Sequence, residues 1–406
     1  MKNNNSLFCR KAINKKNITD IDLKGKKVLY KVDFNVVLTD GITVGEDTRI
    51  RQTLSTLKYL LKNKAKVIMV SHLGRPGGKR NPVFSIAPAS QHLSELIKKD
   101  VLIIDDFLKK KDCEKIDKMK EGEIVFLENI RFYPEEEKND SIFAKKLASL
   151  ADIFVNDAFG VDHRIHASSV GVADYLPSVS GFLLQKEIEM IGNTLCKPKR
   201  PLIAIIGGAK AETKITLIDR LLETADTLLI GGGVANTFFK AWGLKTGKSQ
   251  VDHEMVELAR MLFWKASRAK TRMLLPTDVK LGILEKNEYS DTASINNIPK
   301  NLQALDIGPE TEAEYSKEIM NAKTIIWNGP MGVYEKKKFS HGTDFIYHCL
   351  AQNDIATKIV GGGDTISCLK DKDTAGKINH ISTGGGAMLE FIEKGTLPGI
   401  EALDDK

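Results

Sequence analysis

The stretch KIVGGGDTISCL (Lys358–Leu369) sets an apolar, β-branched run against three glycines and an Asp-Thr pair. Such a run reads as a strand, the glycines as a tight turn, and the Asp-Thr pair as the first turn of a helix. The triplet recurs in LLIGGGVANTFF (Leu228–Phe239) and HISTGGGAMLEF (His380–Phe391), and IAIIGGAKAETK (Ile203–Lys214) is a near relative. Strand, glycine turn and helix used repeatedly predict parallel strands in βαβ order, buried on both faces and joined by right-handed crossovers.

Working outward, the same alternation runs through the chain. The first half offers KVLYKVDF, AKVIMVSH, VLIID, EIVFLEN and DIFVND; the second offers PLIAIIGG, TLLIGG, RMLLPTD, TIIWNG, KIVGGG and NHIST. At 406 residues the chain exceeds one ordinary core. The fold class is therefore α/β, with two doubly wound, Rossmann-like domains of parallel sheet. The divide falls near LLQKEIEMIGNTLCKPKRP (Leu183–Pro201), which reads as one helix ending before Pro198 and joining the two domains as a hinge. The expected boundaries are residues 1–182 for the N-terminal domain, with 1–16 a flexible extension. Residues 183–200 form the hinge, 201–389 the C-terminal domain, and 390–406 a segment returning to the N-terminal domain.

Composition excludes several classes. The chain is 42% hydrophobic and 28% charged, as in a soluble globular protein, and no apolar run is long enough to span a membrane. The basic first residues lack the apolar centre of a secretory signal. Five scattered cysteines argue against a zinc site or a disulfide framework and fit a reducing cytoplasm. The net charge of +7 comes from basic residues interspersed with acids, which suits a small anionic substrate better than nucleic acid.

The chemistry collects after strands. Glycines there let a backbone approach phosphates, and helix N-termini add partial positive charge. One glycine pair alone reads as tight strand–helix packing, but four such clusters in one half read as turns that give phosphates their backbone amides. WGLKTGKS (Trp242–Ser249) is not a phosphate-binding P-loop, because the pattern needs glycine at Trp242. Lys210 and Lys214 lie one helical turn apart if the helix has begun. Asp364 beside phosphates would need Mg²⁺ between, or else caps a helix. In the first half Arg49, His72, Arg75, Arg131 and Arg164 sit near strand ends or helix starts, and arginine grips carboxylate and phosphate bidentately. Asp33 and Asn35 can orient hydroxyl and guanidinium groups. His163 and His166 are as well placed to be structural as to be ligands.

Taken in order, VDFNV, DTRI, SHLGRP, LENIRFYPEEE, NDAFGVDHRIHASSVG, GGAKAETKI, GGGVANTF, LDIGPET, WNGPMGVYE, GGGDT and STGGGA resemble the phosphoglycerate kinase family from Thr19 to Lys406. The resemblance implies reversible phosphoryl transfer between 1,3-bisphosphoglycerate and Mg-ADP, giving 3-phosphoglycerate and Mg-ATP, by a cytoplasmic monomer. It assigns Asp33, Phe34, Asn35, Arg49, His72, Leu73, Gly74, Arg75, Arg131 and Arg164 to the phosphoglycerate. It assigns Gly208, Ala209, Lys210, Lys214, Gly232, Gly308, Asn328, Glu335, Gly362, Gly363, Asp364 and Thr365 to the nucleotide. Asp364 would approach Mg²⁺, and Arg49, Lys210, Gly362 and Gly385 would be catalytic. Val37 stands where the family has proline, Glu310 where it has lysine or serine, and Met388 fills a variable slot. An inactive nucleotide-binding or scaffold protein on the same fold is the alternative, but it would be expected to lose Lys210, Arg49 or Asp364. A dinucleotide oxidoreductase would need a glycine fingerprint that the chain lacks.

Overall fold

The computed structural model describes residues 14–369 and 372–406. These form two compact units, one of residues up to Gly192 with Lys394–Lys406, the other Asn193–Glu393. In the first unit, strands β1 (Lys27–Lys31), β2 (Lys66–Val70), β3 (Leu102–Ile104), β4 (Ile124–Leu127), β5 (Ile153–Asn156) and β6 (Ser178–Ser180) form one sheet in the order β3-β4-β2-β1-β5-β6. Every pairing is parallel. β4 and β5 are buried along their whole length, as the unbroken apolar runs require. The core gathers Val28, Tyr30, Val67, Met69, Phe126 and Val155 with Ile50, Leu57 and Leu60 of the helix Thr48–Lys62.

The second unit repeats the plan. Strands β7 (Leu202–Ile206), β8 (Thr227–Ile230), β9 (Arg272–Leu274), β13 (Thr324–Asn328), β14 (Thr357–Gly361) and β15 (His380–Ser382) order as β15-β14-β13-β7-β8-β9, all parallel. The chain runs to one side from β7 and to the other from β13, so these neighbours mark the switch point where open α/β sheets bind ligands. Trp327 at the end of β13 is fully buried, edge-on to Tyr347 with ring centroids 4.8 Å apart, and its indole N–H donates to Gly329 O at 2.8 Å. This ties the turn after β13 to the core.

Three strands were not expected. β10 (Asp278–Ile283), β11 (Glu288–Ser294) and β12 (Gln303–Ile307) make a separate antiparallel sheet in the order β11-β10-β12. Their sequences, DVKLGI, EYSDTAS and QALDI, carry no long apolar run, and β11 is largely exposed, so none resembles a strand buried on both faces. Short β6 also escaped notice.

The helix expected to stop before Pro198 runs Phe182–Cys196, and the division between units falls within it, after Gly192. Its start is held by buried Asp157, whose Oδ1 accepts from Leu184 N–H at 2.8 Å and whose Oδ2 accepts from Tyr30 O–H at 2.8 Å. The expected flexible extension falls largely on residues 1–13, outside the described residues. Lys15 and Lys16 are held: Lys15 Nζ donates to Leu403 O at 2.7 Å, and Lys16 N–H donates to Asp404 O at 2.9 Å. Cys113 and Cys349 are free thiols, whereas Cys196 is disulfide-bonded, so scattered spacing was no bar to pairing. No helix among the described residues is long and apolar enough to cross a membrane.

Candidate active site

In the first unit, the loops after β1, β2, β4 and β5 bring the predicted residues together. Asp33 is buried, and its Oδ2 accepts from Arg49 Nη1 at 2.7 Å, aiming the guanidinium of the helix Thr48–Lys62. Phe34 N–H donates to Ser71 Oγ at 2.8 Å, and Asn35 Oδ1 accepts from Gly74 N–H at 2.8 Å. These bonds lace the loop after β1 to the loop after β2. Arg131 Nη1 donates to Gly74 O at 3.0 Å, and Leu73 O accepts from Asn129 Nδ2 at 2.7 Å, which adds the loop after β4. Arg164, half-buried, lies beside His163 with Arg164 Nε 3.3 Å from His163 Nε2. Arg75 is exposed.

The electrostatics fit an anion. Burial, then Arg131, Lys31 and Arg49, push the His72 imidazole well below its ordinary range. Burial, then Lys31, Arg131 and Arg164, push His166 down to about 3. Both rings are therefore neutral hydrogen-bonding groups at pH 7, and the positive charge belongs to the arginines and Lys31. Lys31 was missed in the sequence. It is fully buried at the end of β1, and its Nζ donates to Ser168 Oγ at 2.6 Å, while Ser168 Oγ donates to Glu136 Oε1 at 2.5 Å. A lysine in a β-strand gave no signal, because only the tertiary contacts show it turned inward.

In the second unit a cavity of about 250 Å³ opens at the switch point. Gly208, Ala209, Gly232, Glu335 and Asp364 line it, together with Phe239, Leu284, Leu305 and Val333. The apolar wall comes largely from the antiparallel sheet and the turn after β13. A flat apolar slot with a carboxylate at Glu335 is the shape a nucleoside needs. Beside it Lys214 donates to Asn328 Oδ1, Asn328 Nδ2 donates to Gly361 O at 2.8 Å, and Thr365 Oγ1 accepts from Gly329 N–H at 2.7 Å. Burial pulls the Lys214 ammonium down to about 8, partly offset by Asp364.

The structure divides the glycines by physical cause. Gly207 N–H donates to Asn328 O at 3.0 Å, Gly208 N–H to Pro330 O at 2.8 Å, and Gly232 N–H to Met331 O at 3.0 Å. A Cβ on Gly207 would sit 2.2 Å from Pro330 O, and one on Gly329 would sit 2.1 Å from Gly207 O. These glycines let loops at the switch point pack backbone to backbone, and their amides are already engaged. This corrects the expectation that all the clusters offer free amides to phosphate. Gly362 and Gly385 are glycine for another reason, with φ of +100° and +49°. Gly363 and Gly386 have neither cause: a Cβ there meets nothing within 4 Å, and φ is not positive.

Lys210, Lys214, Gly308 and Gly385 differ from expectation. The helix begins at Ile215, so Lys210 and Lys214 are not one helical turn apart; Lys210 is exposed in the preceding turn and Lys214 caps the helix. Gly308 does not line the cavity. It starts the helix Pro309–Asn321, and a Cβ there would lie 2.3 Å from the Asp278 carboxyl carbon. Gly385 is likewise outside the cavity lining, but its turn follows β15, next to β14. The variable Met388 packs its sulfur against Gly361, where a Cβ would lie 2.1 Å from it.

Two compact units of parallel sheet, an arginine-rich cluster in one and a nucleoside-sized cavity in the other, frame the comparison with known proteins. A family model described as phosphoglycerate kinase matches residues 18–395. The chain belongs to the phosphoglycerate kinase family. It is 46% identical over 393 residues to the phosphoglycerate kinase of Pelotomaculum thermopropionicum, covering 97% of this chain and 100% of that protein. It is 47% identical over 396 residues to that of Clostridium perfringens, covering 97% of this chain and 99% of that protein. The structure of phosphoglycerate kinase from Coxiella burnetii superposes with a TM-score of 0.86 at 37% identity, covering 96% of this chain and 98% of that one. That of Pyrococcus horikoshii superposes with a TM-score of 0.81 at 33% identity, over 96% of this chain and 98% of that one. A phosphoglycerate kinase is a phosphotransferase that uses ATP and ADP, so the scaffold alternative is not favoured.

Proposed function

We propose that the first unit binds 3-phosphoglycerate or 1,3-bisphosphoglycerate through Asp33, Phe34, Asn35, Arg49, His72, Leu73, Gly74, Arg75, Arg131 and Arg164. The second unit binds ATP or ADP in the cavity at the switch point. The observation that carries this is the pair of open glycines, Gly363 and Gly386, in the turns after β14 and β15, with half-buried Lys214 bonded to Asn328 beside them. An open glycine in the turn after a strand leaves room for a phosphate to lie against the backbone. Glu335 at the cavity wall suits ribose hydroxyls.

The nucleophile is the carboxylate of 3-phosphoglycerate, ionised at pH 7 because carboxyl groups titrate near about pH 4. No general base is required. What remains is in-line placement and neutralisation of the charge that develops on the moving phosphoryl group. Arg49 is held by Asp33 through one nitrogen and keeps its other donors free. Lys210 engages only its backbone carbonyl, which accepts from Thr213 Oγ1 at 3.3 Å, so its ammonium is free to reach phosphate. Gly362 and Gly385 let the backbone follow the phosphates.

Mg²⁺ belongs to the proposal. Asp364 is exposed and lines the cavity. No group of three His, Cys, Asp or Glu residues able to hold an ion occurs among the described residues, and one carboxylate with phosphate oxygens and waters suits Mg²⁺. Bound there, Mg²⁺ would neutralise phosphate charge and fix the phosphate oxygens.

The test is transfer from Mg-ATP to 3-phosphoglycerate, with wild type, Arg49→Ala and Lys210→Ala compared. Each variant is expected to lose about 10²-fold or more in kcat with its fold intact. Wild-type rates in either variant would remove that residue from the chemistry.

A further inference from the structure

One buried carboxylate in the cavity wall has no part in the chemistry above. Asp306, on β12, lies at 2% exposure with its side chain against two glycines. A Cβ on Gly332 would sit 2.3 Å from Asp306 Oδ1, and one on Gly342 would sit 2.4 Å from it. Gly332 belongs to the turn after β13, which carries the wall residues Val333 and Tyr334. Gly342 is in the first turn of the helix His341–Gln352. Both carboxylate oxygens are used: Oδ1 accepts from Ile307 N–H at 3.0 Å and Oδ2 from Gly342 N–H at 2.8 Å. Val333 N–H donates to Leu305 O at 2.9 Å, so the wall turn also pairs with β12 just before Asp306.

Burial pushes the Asp306 carboxyl up to about 7, and its ionised form is supported from behind. Lys280 Nζ, on β10, lies 3.7 Å from Asp306 Oδ2 and 3.5 Å from Glu312 Oε1. His341 Nδ1 lies 2.7 Å from the same Glu312 oxygen. Four elements thus meet at one carboxylate: β10, β12, the helix Pro309–Asn321 and the helix His341–Gln352. None of these side chains needs to touch the nucleotide.

We propose that Asp306, braced by Lys280, is a positioning residue for the nucleotide: it clamps the turn Gly332–Tyr334 and so sets the width of the slot that takes the base. This rests on the assignment of the cavity to the nucleotide. A clamp on the base wall acts on binding and not on transfer, because the reacting phosphates lie at the glycine turns. Loss of the clamp therefore raises KM for ATP and leaves kcat and KM for 3-phosphoglycerate in place.

The experiment compares steady-state constants for Asp306→Asn, Lys280→Met and Gly363→Val with wild type, each shown folded by its melting transition. Asparagine offers one acceptor where two backbone amides must be met, and methionine keeps the stem of Lys280 without its charge. Both are expected to raise KM for ATP by about tenfold, the scale of one lost charge-assisted hydrogen bond, with kcat and KM for 3-phosphoglycerate within about twofold. A folded pair with wild-type KM for ATP, or with kcat lowered and KM for ATP unchanged, overturns the proposal. Gly363→Val separates the two levels. If it raises KM for ATP while the other two variants do not, the clamp fails and the nucleotide site stands. If it too leaves KM for ATP unchanged, the cavity assignment fails, and the clamp with it.

Discussion

Residue chemistry in this chain is governed by burial first and by partners second. Lys214 shows it directly. Its ammonium is pulled down to about 8 by desolvation, so it loses charge as pH rises through that value. KM for ATP is therefore expected to rise from pH 7 toward about pH 9, and Lys214→Arg, whose guanidinium stays charged, is expected to flatten the rise. A pH-independent KM in wild type would remove Lys214 from phosphate binding. Asp162 shows the same cause with the opposite sign. It is buried, its Oδ2 has no hydrogen-bond partner, and burial pushes it up to about 7. Its unfolded value is near about 4, so the fold favours the protonated form. The stability it contributes is complete below about pH 4 and is lost as pH rises through 7. Asp162→Asn is expected to weaken that loss, so urea midpoints of wild type and variant should converge near pH 5 and separate at pH 8, the variant being higher. Equal pH slopes would show that Asp162 stays ionised in the fold.

Among elements, the turns after the parallel strands carry both the packing and the site, and glycine substitution separates the two roles. Gly207→Ala and Gly329→Ala drive a methyl into backbone carbonyls at 2.2 Å and 2.1 Å. Overpacking of this kind is expected to cost about 1–3 kcal/mol or more, read as a lowered denaturation midpoint. Gly363→Ala and Gly386→Ala meet nothing within 4 Å. They are expected to stay within about 0.5 kcal/mol of wild type in stability and to lose nucleotide affinity. The reverse pattern, stable at Gly207 and unstable at Gly363, would refute the division of the glycines by cause. Sequence could not make this division. Four similar clusters look alike along the chain, and only the neighbours across the switch point tell a glycine that packs from one that stands open.

For the whole molecule, the segregation of cations and cavity into different units has a thermodynamic consequence. A ligand that binds only the native form stabilises what it touches. In hydrogen exchange, 3-phosphoglycerate is expected to protect amides between β1 and β6, and ADP to protect those between β7 and β15. Chelation of divalent cations is expected to abolish transfer while leaving the protection by 3-phosphoglycerate unchanged. Protection of both regions by either ligand alone would contradict the assignment of one substrate to each unit.

Local pattern was enough for the parallel architecture. Unbroken apolar runs bury on both faces, glycine turns and helix starts follow them, and Leu183–Pro201 supports a helix that proline stops; each of these is decided within about ten residues of chain. The same locality made Asp33 and Arg131 visible as polar residues after strand ends, and Arg49 and Lys214 as cations at helix starts. The antiparallel sheet β10–β12 was not legible, because its strands interleave polar and charged residues with apolar ones. Lys31, Asp162 and Asp306 were not legible either. Lys31 and Asp306 are ionisable residues held inside by groups far away in sequence, and Asp162 is buried with its protonated form favoured; the direction in which a side chain turns is decided by the contacts that fold around it, not by its neighbours in the chain.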